Sequence, residues 1–575
     1  MAKINTDWDK LRKHCDKQRT TMEQDFNVIR PHLLQIAQNF YHPAVKGLNE
    51  EADSGSDSGT RSEQDTTDLL DNHATSCLRR GAAGFHANLT SPSRQWFRIG
   101  TDDDKSDSKS AIRAHMDDRT EIITGIIRKS GTYKEFHVLY SHLLAFGFGT
   151  LLVTEDAARV IRPICLRMGT YALGNGKDGK VNRMVRRFSY TGAKMLQEFG
   201  DQIPNELAEK MRERGDTRYL VCNLIEPNRY GDAAADDLTK DVRINKGFQY
   251  RSIYWLAGHK EGNQGILRVT GYRLCPIIAP RMDREHGDVY GIGRGHEALP
   301  LAKGLQATVF DSLQMSSHAA EPPVVATSDF ASKGVNLERG GINFSGIGGG
   351  SEKSSISKID LGENEAIRVT EYNAKRFEEK IGRAFYNDIF AAITMMDNGK
   401  MTAAEVYQRT GESLLMLGPV LTSIDDEFLD PFITIVNSYA ETARKIEVTP
   451  EIAQQIKGLE IEYISSVHLA QKASELGVID RFISVAGNIG AVNPNVLDNV
   501  DFDATLRLYG NMLGVKESCM TDPTIVERTR KARAAASAQQ QQNEQNLKMA
   551  DAQAKIGAVP LKNSVAGALA GVSPV

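Results

Sequence analysis

Four short stretches carry residue types at spacings that chemistry could use. Gly174–Lys180 (GNGKDGK) has the glycine, four residues, Gly-Lys spacing of a loop whose amides cradle phosphate. Val181 stands where such a loop needs a hydroxyl for magnesium, and a polar turn between two strands accounts for the glycines. Gly399-Lys400 has Thr394 where the first glycine belongs and Met401 in place of Ser or Thr. His296-Glu297 could open a zinc-protease helix, but Pro300 occupies the position of the second histidine. Tyr290–Glu297 (YGIGRGHE) is glycine-rich ahead of a helix, and its amides could receive an anion; a helix-entry turn explains it equally simply. No G-x-S-x-G elbow is present. The 13 histidines are scattered, and the six cysteines (15, 77, 165, 222, 275, 519) form no C-x-x-C pair. That spacing suggests neither a disulfide framework nor a zinc site, and buried free thiols of a reducing cytoplasm are the expectation. Catalytic residue, metal and cofactor are each expected to be none.

The balance of charges narrows the classes further. A net charge of −4, with 25% charged and 41% hydrophobic residues, fits a globular chain with a sizeable core. It argues against tight nucleic-acid binding, which rests on clustered Lys and Arg. It leaves open a protein past which DNA slides. The N-terminus MAKINTDWDKLRKHC has no apolar signal region. The longest apolar run, Leu143–Val153 (LLAFGFGTLLV), is too short and glycine-broken to span a bilayer.

The elements that would position any site follow from periodicity. The first forty residues read as helix, and residues 49–67 as a polar acidic loop. A small-residue helix then leads to a strand with Trp96 and Phe97, and two helices and a strand follow. Residues 150–280 are mainly β, with one helix near AKMLQEF. Leu299, Ala302, Leu305, Val309 and Leu313 make one helical stripe, with Pro300 in a first turn. A strand-like, Gly-rich insert ends near Val369, and a helix with the i,i+4 pairs Glu371/Lys375 and Glu379/Arg383 comes next.

Then comes Met396–Leu421, MDNGKMTAAEVYQRTGESLLMLGPVL: a lysine on a glycine turn, then a long helix. Leu414, Leu417, Leu421, Ile424, Phe428, Phe432, Ile435 and Tyr439 mark one face of it, while Gly418, Pro419 and Pro431 predict kinks. The Gln/Ala-rich residues 537–575 read as a disordered tail.

Six stretches together resemble the portal, or head-to-tail connecting, proteins of short-tailed, podovirus-type double-stranded DNA bacteriophages. They are Leu89–Ile99 (LTSPSRQWFRI), Leu143–Val153, Pro280–Pro300 (PRMDREHGDVYGIGRGHEALP), Glu321–Val325 (EPPVV), Met401–Arg409 with Leu417–Leu421, and Ile461–Ala473 (IEYISSVHLAQKA). Their order, from about Trp8 to Arg533, carries the resemblance; each alone is weak. It implies an α+β portal fold assembling as a ring of about twelve subunits around a DNA channel. The implied map is wing 1–293, stem helix 294–320, clip 321–369, second stem helix 370–391, tunnel loop 392–402, kinked helix and wing return 403–499, and crown 500–536.

In that map Asp397, Asn398, Gly399, Lys400 and Met401 would project into the channel, where one lysine per copy becomes a ring of charge felt by the DNA backbone. Glu371, Glu378 and Glu379 would keep the wall acidic enough for sliding. Lys333, Arg339, Lys353 and Lys358 would be contacts of the clip with a partner or with DNA. The implied partners are further copies of the chain, double-stranded DNA, major capsid and scaffolding proteins, the terminase large subunit, and tail adaptor and tail proteins. The implied location is the virion's portal vertex, after assembly in the bacterial cytoplasm. The competing readings are a nucleic-acid-processing enzyme whose site no motif reveals, and a helical scaffold unrelated to phage.

Overall fold

The computed structural model describes residues 8–49, 69–101, 110–228, 248–259, 264–322, 324–327, 336, 338, 340–345, 356–358, 363–391, 417–446, 459–465, 468, 479, 481–489, 491, 499–512, 521 and 523–557. They fall into two compact units: Met1–Asp104 with His115–Arg481, and Lys105–Ala114 with Phe482–Val575.

The first unit mixes helices with sheets that are antiparallel but for one strand pair, so its class is α+β. Helix α1 (Trp8–Phe40) buries Leu11, Cys15, Met22, Phe26, Leu33, Ile36 and Phe40, a stripe spaced by threes, fours and sevens. Helix α2 (His73–Leu89) leads to strand β1 (Phe97–Thr101), and helices α3 (Ser110–Lys129, of this unit from His115 onward) and α4 (Thr132–Phe146) follow. Gly131 and Gly147, both at positive φ, bound α4. Strands β2 (Leu151–Asp156), β3 (Val160–Cys165), β4 (Tyr171–Asn175), β5 (Val181–Thr191), β6 (Arg218–Pro227), β7 (Tyr250–Leu256), β8 (Ile266–Tyr272) and β9 (Ile277–Ile278) make two sheets. Their orders are β3-β2-β9 and β4-β5-β6-β7-β8.

One face of the five-stranded sheet carries helices α5 (Gly192–Phe199) and α6 (Asn205–Glu213), with Met195, Phe199, Met211, Val221 and Leu256 at the centre of their shared core. The opposite face receives α1, whose Glu23 pairs with Arg187 at 3.1 Å. Arg12 of α1 is 5% exposed and donates to the carbonyls of Leu256, His259 and Gln264, closing the β7–β8 turn. Beside it the buried Glu226 accepts from Arg251 and contacts His14 Nε2 at 3.0 Å. Burial opposes ionisation of Glu226, but the His14 hydrogen bond and the Arg251 charge outweigh it and hold the carboxyl down to about 2.

Beyond these sheets stand α7 (Arg294–Ala320), a small sheet of β10 (Val324–Thr327), β11 (Ile342–Ser345) and β12 (Ile356–Lys358) in the order β11-β10-β12, and α8 (Glu363–Ala384). Helix α8 begins before the expected residue 370: pairing with α7 overrides the β preference of Val369 and Thr370. Residues 417–424 are helical, Asp425–Leu429 form a π-turn, and α9 (Asp430–Thr442) continues the chain to β13 (Leu459–Tyr463).

In the second unit, residues 482–489 are helical and expose Phe482, Val485 and Ile489. Helix α10 (Phe502–Met512) is tied to α11 (Pro523–Gly557) by the Asp503–Arg530 pair. The disordered tail expected from residue 537 is corrected over 537–557: α11 runs unbroken through them, because Ala, Gln, Glu, Lys and Leu are strong helix formers. Among the described residues no helix is long and apolar enough to cross a membrane, and no group of three or more His, Cys, Asp or Glu residues is arranged to hold a metal.

Candidate functional site

Helices α7 and α8 pack side by side and antiparallel, since Arg294 at the start of α7 meets Tyr386 just past the end of α8. At 1.5 Å per residue α7 is about 40 Å long and α8 about 33 Å. Gly304 lets the Phe377 ring lie against the α7 backbone; a Cβ there would sit 3.1 Å from it. Only the root of the pair is buried. Leu299, Ala302 and Leu305 are inside, Val309 is half-buried, and Leu313 is 55% exposed. On α8, Ile381 is buried while Tyr372 is 68% exposed. The pair therefore projects from the unit, and its outer part presents Phe310, Leu313, Val369 and Tyr372 to solvent.

At the root, stretches far apart in sequence converge. Strand β1 pairs antiparallel with β13, Phe97 opposite Tyr463 and Ile99 opposite Ile461, so Leu89–Ile99 and Ile461–Ala473 meet directly. The turn after α4 lies against the entry to α7. A Cβ on Gly147 would sit 2.3 Å from the Gly293 nitrogen, and one on Gly293 would sit 2.3 Å from the Gly147 nitrogen. Only glycines allow two backbones this close. The glycines of YGIGRGHE thus serve close packing at a helix entry, and the Gly293 amide donates to His296 Nδ1 at 3.2 Å. GNGKDGK is the β4–β5 turn, with Gly179 at φ 72°.

Arg281 joins these pieces. Its side chain is fully buried and meets Glu427 bidentately, Nη2 to Oε1 at 2.7 Å and Nε to Oε2 at 3.1 Å. The same guanidinium donates to the carbonyls of Gly179 and Asp288 and to Asn175 Oδ1, and the Arg281 amide donates to Glu427 Oε2. Arg284, 30% exposed, adds a second cation 3.1 Å from Glu427 Oε1.

Glu427 is presented by the π-turn. Pro431 has no amide hydrogen and its ring crowds the carbonyl four residues back, which is that of Glu427. The helix widens instead, and the Asp430 amide donates to the Asp425 carbonyl five residues earlier. Phe428 and Phe432 both reach Phe136, at ring distances of 4.8 and 4.9 Å. Asp425 contacts His468 Nε2 at 3.0 Å, and the Tyr463 hydroxyl donates to Asp430. Burial raises the Asp430 carboxyl above its usual range.

The chain is also irregular where α8 ends. Tyr386 has φ 59°, uncommon for a bulky side chain. Its hydroxyl accepts from Arg294 Nε at 2.6 Å, and Arg294 also pairs with Asp283 at 3.2 Å and Glu297 at 2.9 Å. Burial works against the Arg294 charge, but Tyr386, Asp283 and Glu297 together hold its pKa above the ordinary value. Phe390 then packs edge-on against Phe85 at 4.9 Å, over Gly84.

Of the residues singled out by sequence, Glu371 and Glu379 are exposed on α8 and Glu378 is half-buried. They alternate with exposed Arg368, Lys375, Arg376, Lys380 and Arg383, so this face is mixed in charge, not acidic. Arg383 reaches Asp388 at 3.7 Å. Gly418 and Pro419 lie in the helical residues 417–424, where Thr422 and Ser423 donate to their carbonyls at 3.1 Å. Lys358 pairs through its backbone with Val324. Asp397, Asn398, Gly399, Lys400, Met401, Lys333, Arg339 and Lys353 lie outside the described residues. Sequence reasoning did not single out Arg281, Arg284, Arg294, Tyr386 or Glu427. Pro431 flagged the irregular helix, but nothing local pointed to an arginine 146 residues away.

A family model described as "Bacteriophage head to tail connecting protein" matches residues 12–520, and the chain belongs to that family. Among curated relatives, the "Probable portal protein" of Bordetella phage BPP-1 is 31% identical over 504 residues, covering 87% of this chain and 88% of that one. The "Portal protein" of Salmonella phage epsilon15 is 28% identical over 477 residues, covering 82% and 84%. A solved virion of a native gene transfer agent particle aligns with 74% of this chain and 91% of that one at 13% identity, with a TM-score of 0.28, a superposition too loose to bear on the fold.

Proposed function

We propose that this chain forms the portal vertex of a phage capsid, as a structural conduit for double-stranded DNA and not as an enzyme. The observation that carries the reading is the family match over residues 12–520, sustained by 31% identity to a portal relative along 87% of the chain. In this reading about twelve copies close into a ring. Helices α7 and α8 form the stem, β10–β12 belong to the clip, and the outer apolar residues Phe310, Leu313, Val369 and Tyr372 are covered by neighbouring copies.

The mixed charge of α8 suits a wall past which DNA slides, because dense phosphate pairing would hold it. Asp397–Met401 would form the loop nearest the DNA, with Lys400 supplying one positive charge per copy. Capsid and scaffolding proteins, the terminase large subunit and tail adaptor and tail proteins are the proposed partners, in a virion assembled in the host cytoplasm.

Mass photometry with negative-stain imaging of the purified protein tests this. Particles of about 760 kDa, twelve copies of the 63.4 kDa chain, with a central hole in top view are expected. Monomers that persist at high concentration and with scaffolding protein would overturn it.

A further inference from the structure

Two backbone irregularities of the site, the left-handed Tyr386 and the π-turn Asp425–Leu429, bound residues 387–424 on either side. Both are held by one short loop. Arg281 and Arg284 grip Glu427 on the π-turn, and Arg294 grips Tyr386. The loop is itself cross-tied, because Arg294 pairs with Asp283, which lies between the two Glu427-binding arginines. A second internal tie runs from Arg281 to the Asp288 carbonyl, and the far side of the loop is fixed by the Gly179 carbonyl that receives Arg281 and by Tyr290, whose hydroxyl accepts the Leu173 amide at 3.1 Å.

We propose that residues 281–294 act as a single latch that positions both ends of residues 387–424, with Arg281 and Arg294 as its positioning residues. A bulky residue in the left-handed region costs about 1–3 kcal/mol and persists only where its surroundings hold it. A π-turn likewise persists where side chains fix it. Because one loop supplies both sets of ties, slackening either end loosens the other. Where the portal reading also holds, the latch sets where the Lys400 stretch enters the channel; the latch itself does not depend on that reading.

The test is hydrogen exchange followed by mass spectrometry on the full chain, which needs neither a ring nor DNA. Two variants act at opposite ends: Tyr386→Phe removes one hydroxyl and keeps the ring, and Glu427→Gln removes the charge gripped by Arg281. Tyr386→Phe should speed exchange of the amides of residues 421–430 about tenfold, and Glu427→Gln should do the same for residues 383–390. The double variant should add less than the product of the two effects. Acceleration confined to each variant's own segment, or fully multiplicative effects, would overturn the latch. Should Glu427→Gln fail to fold, Arg284→Ala loosens the same grip from its exposed side and must still act on residues 383–390.

Discussion

Replacing Arg281 by alanine removes a fully buried guanidinium and leaves Glu427, 10% exposed, facing the space it filled. Breaking a buried pair by deleting one partner costs about 3–5 kcal/mol, chiefly because the remaining charge is desolvated and unpaired. Arg284 still approaches Glu427 at 3.1 Å and offsets part of this, so a loss of about 3 kcal/mol is expected. The carbonyls of Gly179 and Asp288 lose their donor too, which holds the value from falling lower. Arg284→Ala removes the half-solvated partner alone and should cost at most about 1 kcal/mol. Urea unfolding followed by tryptophan fluorescence separates the two, since Trp96 and Trp255 are both buried in this unit. With a denaturant slope of about 3 kcal/mol/M, Arg281→Ala should lower the midpoint by about 1 M and Arg284→Ala by about 0.3 M or less. Equal shifts for the two variants, or a shift below about 0.3 M for Arg281→Ala, would refute the claim that this buried pair holds the root of the hairpin together.

Other expectations follow from the same geometry. Gly147→Ala should destabilise by at least about 2 kcal/mol, because its φ of 83° and the Gly293 nitrogen 2.3 Å from the new Cβ both oppose a side chain; thermal melting reads this. Burial pulls the His142 imidazole down to about 4, so its folded pKa lies below the unfolded 6.5. The stability it favours is present above pH 6.5 and lost as pH falls toward 4, roughly 2 kcal/mol by pH 5, and His142→Gln should flatten that part of a urea-midpoint profile. For Glu226 the folded value of about 2 lies below the unfolded 4.5, so its contribution of roughly 3 kcal/mol is present above pH 4.5 and lost between 4.5 and 2; Glu226→Gln should remove that dependence. Deleting Asn398–Met401 should leave particle assembly intact and change packaging or retention of DNA in infected cells; normal packaging and retention would count against a channel role for Lys400.

Much of the local structure was legible. Runs of β-branched and aromatic residues between turn signals marked 150–280 as mainly β, but the single helix expected there is joined by a second, Asn205–Glu213, and the short strands β3 and β4 were not singled out. Spacing by threes and fours marked the helices on either side. GNGKDGK read correctly as a turn because the missing hydroxyl after Lys180 removed the phosphate reading. What periodicity could not supply was depth. The stripe Leu299, Ala302, Leu305, Val309, Leu313 looks uniform, yet it passes from buried to exposed, because burial depends on where the helix leaves the core. The acidic reading of Glu371, Glu378 and Glu379 isolated three carboxylates from the Arg and Lys that share their helix face. Pro431 signalled a distortion, but its form as a π-turn that presents Glu427 to Arg281 is a tertiary property. Tyr386 carries no sequence signal at all: tyrosine seldom adopts positive φ, and it is the grip of Arg294, the edge-on Phe85 ring at 6.0 Å and the buried flanking residues Phe385 and Phe390 that hold it there.

The portal reading makes one demand that a single image reconstruction can meet. A cryo-electron microscopy map of the assembled particle, resolved well enough to show helices, locates α7 and α8 relative to the symmetry axis. A closed ring with this pair lining a channel wide enough for a DNA duplex, roughly 20 Å, and with Phe310, Leu313, Val369 and Tyr372 against neighbouring copies, is the result expected. A map with no ring, or one with the pair on the outer rim and those four side chains in solvent, would contradict it.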